Sequence, residues 1–228
     1  MKKIFALTIA AMIILTCFTA CKPKIKNGEL VTDAAGENIA IATQADGGLQ
    51  RDDSGNIIVL VTDEDGRNVK DENGEYATKA VALEHALVIG NQIECADYAI
   101  RIPNGWSDSL SYTELIIKKD GTEDTLSIAN ERGGSLKDTL QLASTVYTNM
   151  QAGFPSAVIE NKKIEVLGME ANFLSGYVAD NGTGKGSYIA YILFEHENSV
   201  YTCNLISDRN MSENLDEYID ILNTIEFR

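Results

Sequence analysis

The chain has 228 residues, with 34 Asp and Glu against 19 Lys and Arg, a formal net charge of −15. That balance excludes a general nucleic-acid-binding role, because phosphate backbones are held by clustered Lys and Arg, and it favours a soluble surface. Cysteine is sparse, at four residues.

Lys2 and Lys3 open the chain with positive charge, and Ile4 to Ala20 is uncharged and apolar or small. The stretch is short for a spanning helix, which needs about 20 apolar residues, and it reads as an export signal covering residues 1–20. It ends in Phe18-Thr19-Ala20-Cys21. Small residues leading directly into cysteine resemble the lipobox of bacterial lipoproteins, although Phe18 stands where that family usually has Leu. The resemblance implies that Cys21 is the lipid-attachment site: its sulfur receives a diacylglycerol, and signal peptidase II cuts just before it. Two acyl chains give stable anchoring where one is marginal. Lys22, Lys24 and Lys26 add attraction to anionic lipid, roughly 1 kcal/mol each. Loss of Lys2 and Lys3 takes the formal charge from −15 to −17. The expected location is the extracytoplasmic face of the cell membrane, with the membrane itself a partner through the anchor.

Residues 21–92 read as an acidic stalk or linker. Asn27 to Thr78 holds three basic residues, Arg51, Arg67 and Lys70, against twelve Asp and Glu. A degenerate repeat runs through it: Val31 to Gly36, Asp52 to Gly55, Val61 to Gly66 and Val69 to Gly74. Each copy puts acidic or Asn residues before Gly, the chemistry of turns between short β-prone pieces. So little apolar content predicts no core, only fluctuating hairpins around Asn56 to Val61, in a coil spanning ~40 Å. The turns do not form a calcium loop. The EF-hand pattern needs an acidic first ligand and a Glu six residues after its Gly, but Val69 and Ala80 occupy those places around Gly74, and Val61 the first place before Gly66. Lys79 to Ile89 reads equally as strand or short helix, with His85 alone inside it.

Residues 93–228 are long enough to bury one core. Ile93 to Ile102 alternates as a strand, and Pro103-Asn104-Gly105-Trp106 is a turn. Glu114 to Lys119 and Thr125 to Asn130 are strands joined at Asp120-Gly121. Ser135 caps a helix whose apolar stripe is Leu136, Leu140, Ala143, Tyr147 and Met150, ended by Gly153-Phe154-Pro155. Four strands follow, Val158 to Leu167, Ala171 to Ala179, Ser187 to Glu195 and Val200 to Ser207, with short turns that make antiparallel neighbours. A second helix begins after Ser212 with Leu215, Tyr218, Ile219 and Leu222 as its buried stripe, and Thr224 to Phe227 is an extended tail. The order predicts the α+β class: an antiparallel β-sheet with packed helices.

The segment Tyr98-Ala99-Ile100-Arg101-Ile102-Pro103-Asn104-Gly105-Trp106, the middle helix, the meander, and the ending from Tyr201-Thr202-Cys203 through Ile225-Glu226-Phe227 resemble the PsbP-like family. The resemblance implies an α/β/α sandwich around an antiparallel sheet. It further implies a binding or assembly factor rather than an enzyme, and supplies no catalytic residues.

Candidate chemistry is thin. Asn181 to Gly186 is Gly-rich with Lys185, but Ala179 stands where a phosphate loop needs its first Gly, and a strand follows where a helix is required. It reads as a hairpin loop. His196 lies between Glu195 and Glu197, and zinc sites usually draw three or four ligands, so no metal or cofactor is expected. No G-x-S-x-G occurs. Once Cys17 leaves with the signal and Cys21 is acylated, Cys95 and Cys203 remain, either as an exported disulfide worth at most ~5 kcal/mol or as two buried thiols. Tyr98, Trp106 and Tyr112 are candidates for a binding surface, with a core role for Trp106 as the alternative. The leading expectation is a membrane-anchored, non-enzymatic binding or assembly module whose partner is an envelope protein or glycan, with no nucleic acid. The alternatives are a small-ligand or cation sensor and a carboxylate-based enzyme.

Overall fold

The computed structural model of the chain describes residues 26–32, 38–45, 48–83, 86–110, 115–153, 158–178 and 186–228. Cys21, His85, Tyr112 and Asn181 to Lys185 lie outside them. The chain divides into two compact units, one of Met1–Val31 with Ile39–Ala82, the other of Thr32–Asn38 with Leu83–Arg228.

In the first unit, β1 (Glu29–Thr32), β2 (Asn38–Ile41), β3 (Ile57–Leu60) and β4 (Thr78–Val81) form a four-stranded sheet in that order. The repeat sets its geometry. Backbone hydrogen bonds close two rings of three residues each at eight-residue spacing. Ala42 N donates to Ile58 O, Ile58 N to Gln50 O and Gln50 N to Ala42 O; Val61 N donates to Ala77 O, Ala77 N to Val69 O and Val69 N to Val61 O, all at 2.8–3.1 Å. Among the described residues, three of the turns are tied by an aspartate of their own. Asp63 Oδ1 accepts from the amides of Asp65 and Arg67, Asp71 Oδ1 from Asn73 and Glu75, and Asp52 Oδ1 from Ser54 and Asn56. The following Gly supplies the left-handed residue that lets the chain return: Gly66 has φ +76° and Gly74 φ +81°. Asp52, Asp63 and Asp71 of the repeat thus serve as turn caps.

This overturns the expected flexible stalk. Its turns are where the sequence places them, but the segment buries Ala40, Ile41, Ala42, Ile57, Val59 and Leu60. The few apolar residues fall on β2 and β3, and the rings satisfy backbone groups that side chains would otherwise have to cover.

The second unit opens with β5 (Leu87–Ile89), β6 (Gln92–Glu94) and β7 (Tyr98–Arg101). Ile93 to Ile102 is therefore not one strand: Cys95 N donates to Tyr98 O at 2.8 Å and closes a turn inside the alternating run. Next come β8 (Trp106–Leu110), β9 (Leu115–Lys119), β10 (Thr125–Arg132), α1 (Leu136–Gly153), β11 (Val158–Val166), β12 (Met169–Val178), β13 (Ser187–His196), β14 (Ser199–Ser207), α2 (Leu215–Leu222) and β15 (Glu226–Phe227). A seven-stranded sheet runs β11-β12-β13-β14-β10-β9-β8, and a four-stranded sheet runs β15-β7-β6-β5. The N-terminus of α1 is capped as its sequence predicts, with Ser135 Oγ accepting from Asp138 N at 3.3 Å.

The large sheet is covered on both sides at β12, where Ala171 to Gly176 are buried without interruption, whereas β14 alternates and leaves Ile206 exposed. On one side Ala143 and Tyr147 of α1 pack with Leu174 and Leu193. Gly176 makes that approach possible, since a Cβ there would lie 2.8 Å from Tyr147 Cε1. On the other side Phe173, Ile192, Cys203, Ile128 and Ile117 share one core with Ile93, Tyr98 and Ile100 of the small sheet and with Leu215, Tyr218 and Leu222 of α2.

The expected helix-packed α+β sandwich is therefore corrected. Among the described residues, fifteen strands in antiparallel sheets stand against two helices of 18 and 8 residues. The physical reason is local. β5, β6, β7 and β15 are short runs of two to four residues, and they share with α2 a cover that the sequence pattern assigns to helices. Among the described residues, no helix is long and apolar enough to cross a membrane.

Candidate functional site

A pocket of about 280 Å³ opens at one rim of the second unit, where the β6–β7 turn, the end of β10, the β13–β14 turn and β15 converge. Register brings them there. Arg132 pairs with Ser199 across β10 and β14, His196 with Ser199 across β13 and β14, and Phe227 with Tyr98 across β15 and β7.

An aromatic column forms one wall. His196 stacks on Phe227 with ring centroids 3.6 Å apart and planes 10° from parallel. Phe227 meets Tyr201 edge-on at 5.3 Å, and Tyr201 stacks on Phe194 at 5.1 Å. Phe194 and His196 are two apart on β13, so they share a face, and Phe194 is the direct cross-strand partner of Tyr201. Burial, with Asp97 close by, pushes the Tyr201 hydroxyl up to about 12.

Charged groups form the rest. Asp97 accepts from Asn130 Nδ2 at 2.6 Å and from Arg132 Nη2. Arg228 is held from behind: its Nη2 reaches both oxygens of the buried Glu94 at 3.0 and 3.1 Å, its Nη1 lies 3.3 Å from Glu226 Oε2, and its amide donates to Asp97 O at 2.9 Å. Glu197, Asn198 and Ser199 complete the lining. Glu197 sits at φ +52° at the tip of the β13–β14 turn.

The residues singled out by sequence fall elsewhere. Tyr98 is 3% exposed and Trp106 7% exposed; both belong to the core and line no open surface. Trp106 meets Tyr218 edge-on at 5.9 Å, with Lys119 Nζ 5.9 Å from its ring centre. Tyr98 lies behind the pocket wall, 5.9 Å from Tyr201. Burial, and a side-chain hydrogen bond with Cys95, hold its hydroxyl well above the usual range. Cys95 and Cys203 are not joined by a disulfide; Cys95 is half-buried and Cys203 fully buried. His196, read as an exposed turn residue, is half-buried against Phe227. Asn181 to Lys185 connects β12 to β13, which pair as an antiparallel hairpin from Val178 and Ser187 onward. Among the described residues, no group of three or more His, Cys, Asp or Glu is placed to hold a metal ion.

No family model and no curated protein matches the chain. Three solved structures are similar to it over part of its length, each covering 57% of this chain. The first is a protein from Bacteroides thetaiotaomicron, at 10% identity and TM-score 0.42, of which the match covers 45%; the similarity thus spans less than half of that protein. The second is LpqN of Mycobacterium tuberculosis, involved in cell envelope biogenesis, at 14% identity, TM-score 0.39 and 82% coverage. The third is the Ran-binding protein Mog1p of Saccharomyces cerevisiae, at 9% identity, TM-score 0.37 and 89% coverage.

Sequence reasoning missed the pocket because its residues come from four separate places in the chain. One signal was available. The run Glu195-His196-Glu197-Asn198 sits at a two-residue turn between two long strands, where a charged and aromatic cluster is displayed at a sheet end. Nothing in the sequence says that Asp97, Arg132 and Phe227 meet it.

Proposed function

We propose that the chain is a lipid-tethered, non-enzymatic binding module of the cell envelope, held at the extracytoplasmic face of the membrane, with an envelope protein or glycan as its partner. The segment Phe18-Thr19-Ala20-Cys21, flanked by an uncharged apolar run and by Lys22, Lys24 and Lys26, carries this reading. The chemistry of the pocket favours binding over turnover. Asp97 in the lining is engaged by Arg132 and Asn130, and Glu94 behind it by Arg228, so these two carboxylates are held by partners rather than poised for proton transfer. His196 commits one ring face to Phe227.

The test is metabolic labelling with an alkyne fatty acid in a bacterial host, comparing the chain with Cys21→Ser. Label on the chain but not on the variant, with the variant released from the membrane fraction, is the expected result. Equal fractionation of both, without label, overturns the tether. Turnover of a substrate that Ala substitution in the pocket abolishes, without unfolding the unit, overturns the non-enzymatic part.

A further inference from the structure

Both guanidinium groups at the pocket are already paired with carboxylates, and that narrows its ligand. Arg132 is ion-paired with Asp97 and Arg228 with Glu94 and Glu226, and Glu197 adds a further carboxylate to the lining. A phosphate or sulfate entering the pocket meets more carboxylate than guanidinium charge. For a cation, no group of three or more His, Cys, Asp or Glu is placed as ligands among the described residues. What the wall does offer is hydrogen-bonding groups of both kinds at short range. A guanidinium carries five N–H donors and a carboxylate about four acceptor positions. Asn198 and Ser199 each both donate and accept. The hydroxyls of a sugar do the same.

The aromatic column supplies the other half of such a site. His196 and Phe227 present ring surface beside the polar groups, and a flat apolar face next to fixed polar atoms is how small-ligand sites orient what they bind. The volume, about 280 Å³, lies just under the usual range of ~300–1,000 Å³ for small-molecule pockets. That suits one six-membered ring better than a long acyl chain. The site is also built before any ligand arrives. Glu94 is 4% exposed and clamps Arg228 through two bonds, and Asn130 fixes Asp97. Groups held in this way lose little freedom on binding.

We infer that the pocket rimmed by Asp97, Arg132, His196, Glu197 and Phe227 binds a neutral saccharide, taking one pyranose ring at a time. The inference deepens the envelope-binding reading by naming the ligand class, and it stands on a different part of the molecule from Cys21.

The test titrates the purified full chain with glucose, galactose, N-acetylglucosamine and their β-linked disaccharides. Binding is followed by saturation-transfer NMR and calorimetry. Inorganic phosphate, calcium and glycine are the charged and zwitterionic comparisons. Arg132 and Glu197 are exposed, so Arg132→Ala and Glu197→Gln are expected to leave the melting temperature unchanged. Saturable binding of at least one saccharide, weakened about tenfold or more by either variant, supports the site. Absence of saturation by every saccharide, saturation indifferent to both variants, or binding of phosphate, calcium or glycine instead overturns it. The Cys21→Ser chain serves as the cross-check. It retains saccharide binding if the site is real, whether or not the tether is, so the two readings fail separately.

Discussion

Asp124 is a fully buried charge in the second unit. Its side chain is 0% exposed, yet it accepts hydrogen bonds from Ser207 Oγ at 2.5 Å and from Arg209 Nη2. Arg209 continues the network, donating to Asn214 Oδ1 at 2.8 Å and to Glu217 Oε2 at 3.1 Å, and Glu217 also receives Lys119 Nζ at 2.5 Å. The carboxylate thereby joins the start of β10 to the end of β14 and, through Arg209, to α2. Removing one partner of a fully buried pair costs about 3–5 kcal/mol. Here the Arg209 side chain is 33% exposed and keeps Glu217 and Asn214. Water and those partners recover part of the loss, and about 2–3 kcal/mol remains for Asp124→Ala. In a unit of this size, 1 kcal/mol moves the melting temperature by about 2–4 °C, so the variant melts roughly 4–12 °C lower. Asp124→Asn keeps an acceptor for Ser207 and falls less. Calorimetry on Asp124→Ala, Arg209→Ala and the double variant closes the cycle, with an expected coupling of about 1–3 kcal/mol. Additive losses, or a single-variant loss below about 0.5 kcal/mol, refute the reasoning.

Four other outcomes are expected. Gly176→Ala places a methyl 2.8 Å from Tyr147 Cε1 and 2.9 Å from Met150 Sδ, and lowers stability to urea by about 1–3 kcal/mol; a neutral result refutes the close packing of α1. Asp71→Ala removes a cap from two turn amides and lowers the unfolding free energy of the first unit by about 0.5–2 kcal/mol, whereas Glu72→Ala next to it leaves urea unfolding unchanged. Burial alone would raise Glu217, but hydrogen bonds from Lys119 and Arg209 outweigh it and hold the carboxyl below its usual 4.5. Its contribution is therefore complete above that value and lost as pH falls through the depressed one, so Glu217→Gln flattens the acid limb of a melting-temperature profile. Burial pushes the Cys203 thiol up, so a thiol reagent labels the half-buried Cys95 first and Cys203 only on unfolding; equal native rates count against the core placement of β14.

Much of the second unit was legible because period and turn chemistry act locally. The α1 stripe of Leu136, Leu140, Ala143, Tyr147 and Met150 faces the sheet as its spacing requires, and Gly121 and Gly168 turn the chain with φ near +70°. The four long strands were readable for the same reason, each bounded by turn residues. The misreadings came where meaning is non-local. Cys95 to Asp97 breaks an alternating run only because β7 folds back on β6. Composition predicts coil for the acidic repeat because it counts apolar residues but not where they fall. Ile41, Ile57 and Val59 are buried on β2 and β3 of one small sheet, with Ile41 opposite Val59, and backbone rings join 42, 50 and 58 and 61, 69 and 77. The pocket was the least legible part. Arg132 has no meaning in its own segment, and gains one only when β10 pairs with β14 and brings it beside Asp97.

The tether is the claim on which location and partner both depend. Intact-mass spectrometry of the chain extracted from membranes measures it directly. The predicted species begins at Cys21 and carries the added mass of a diacylglyceryl group on that residue. A species that still contains residues 1–20, or one with Cys21 unmodified, contradicts it.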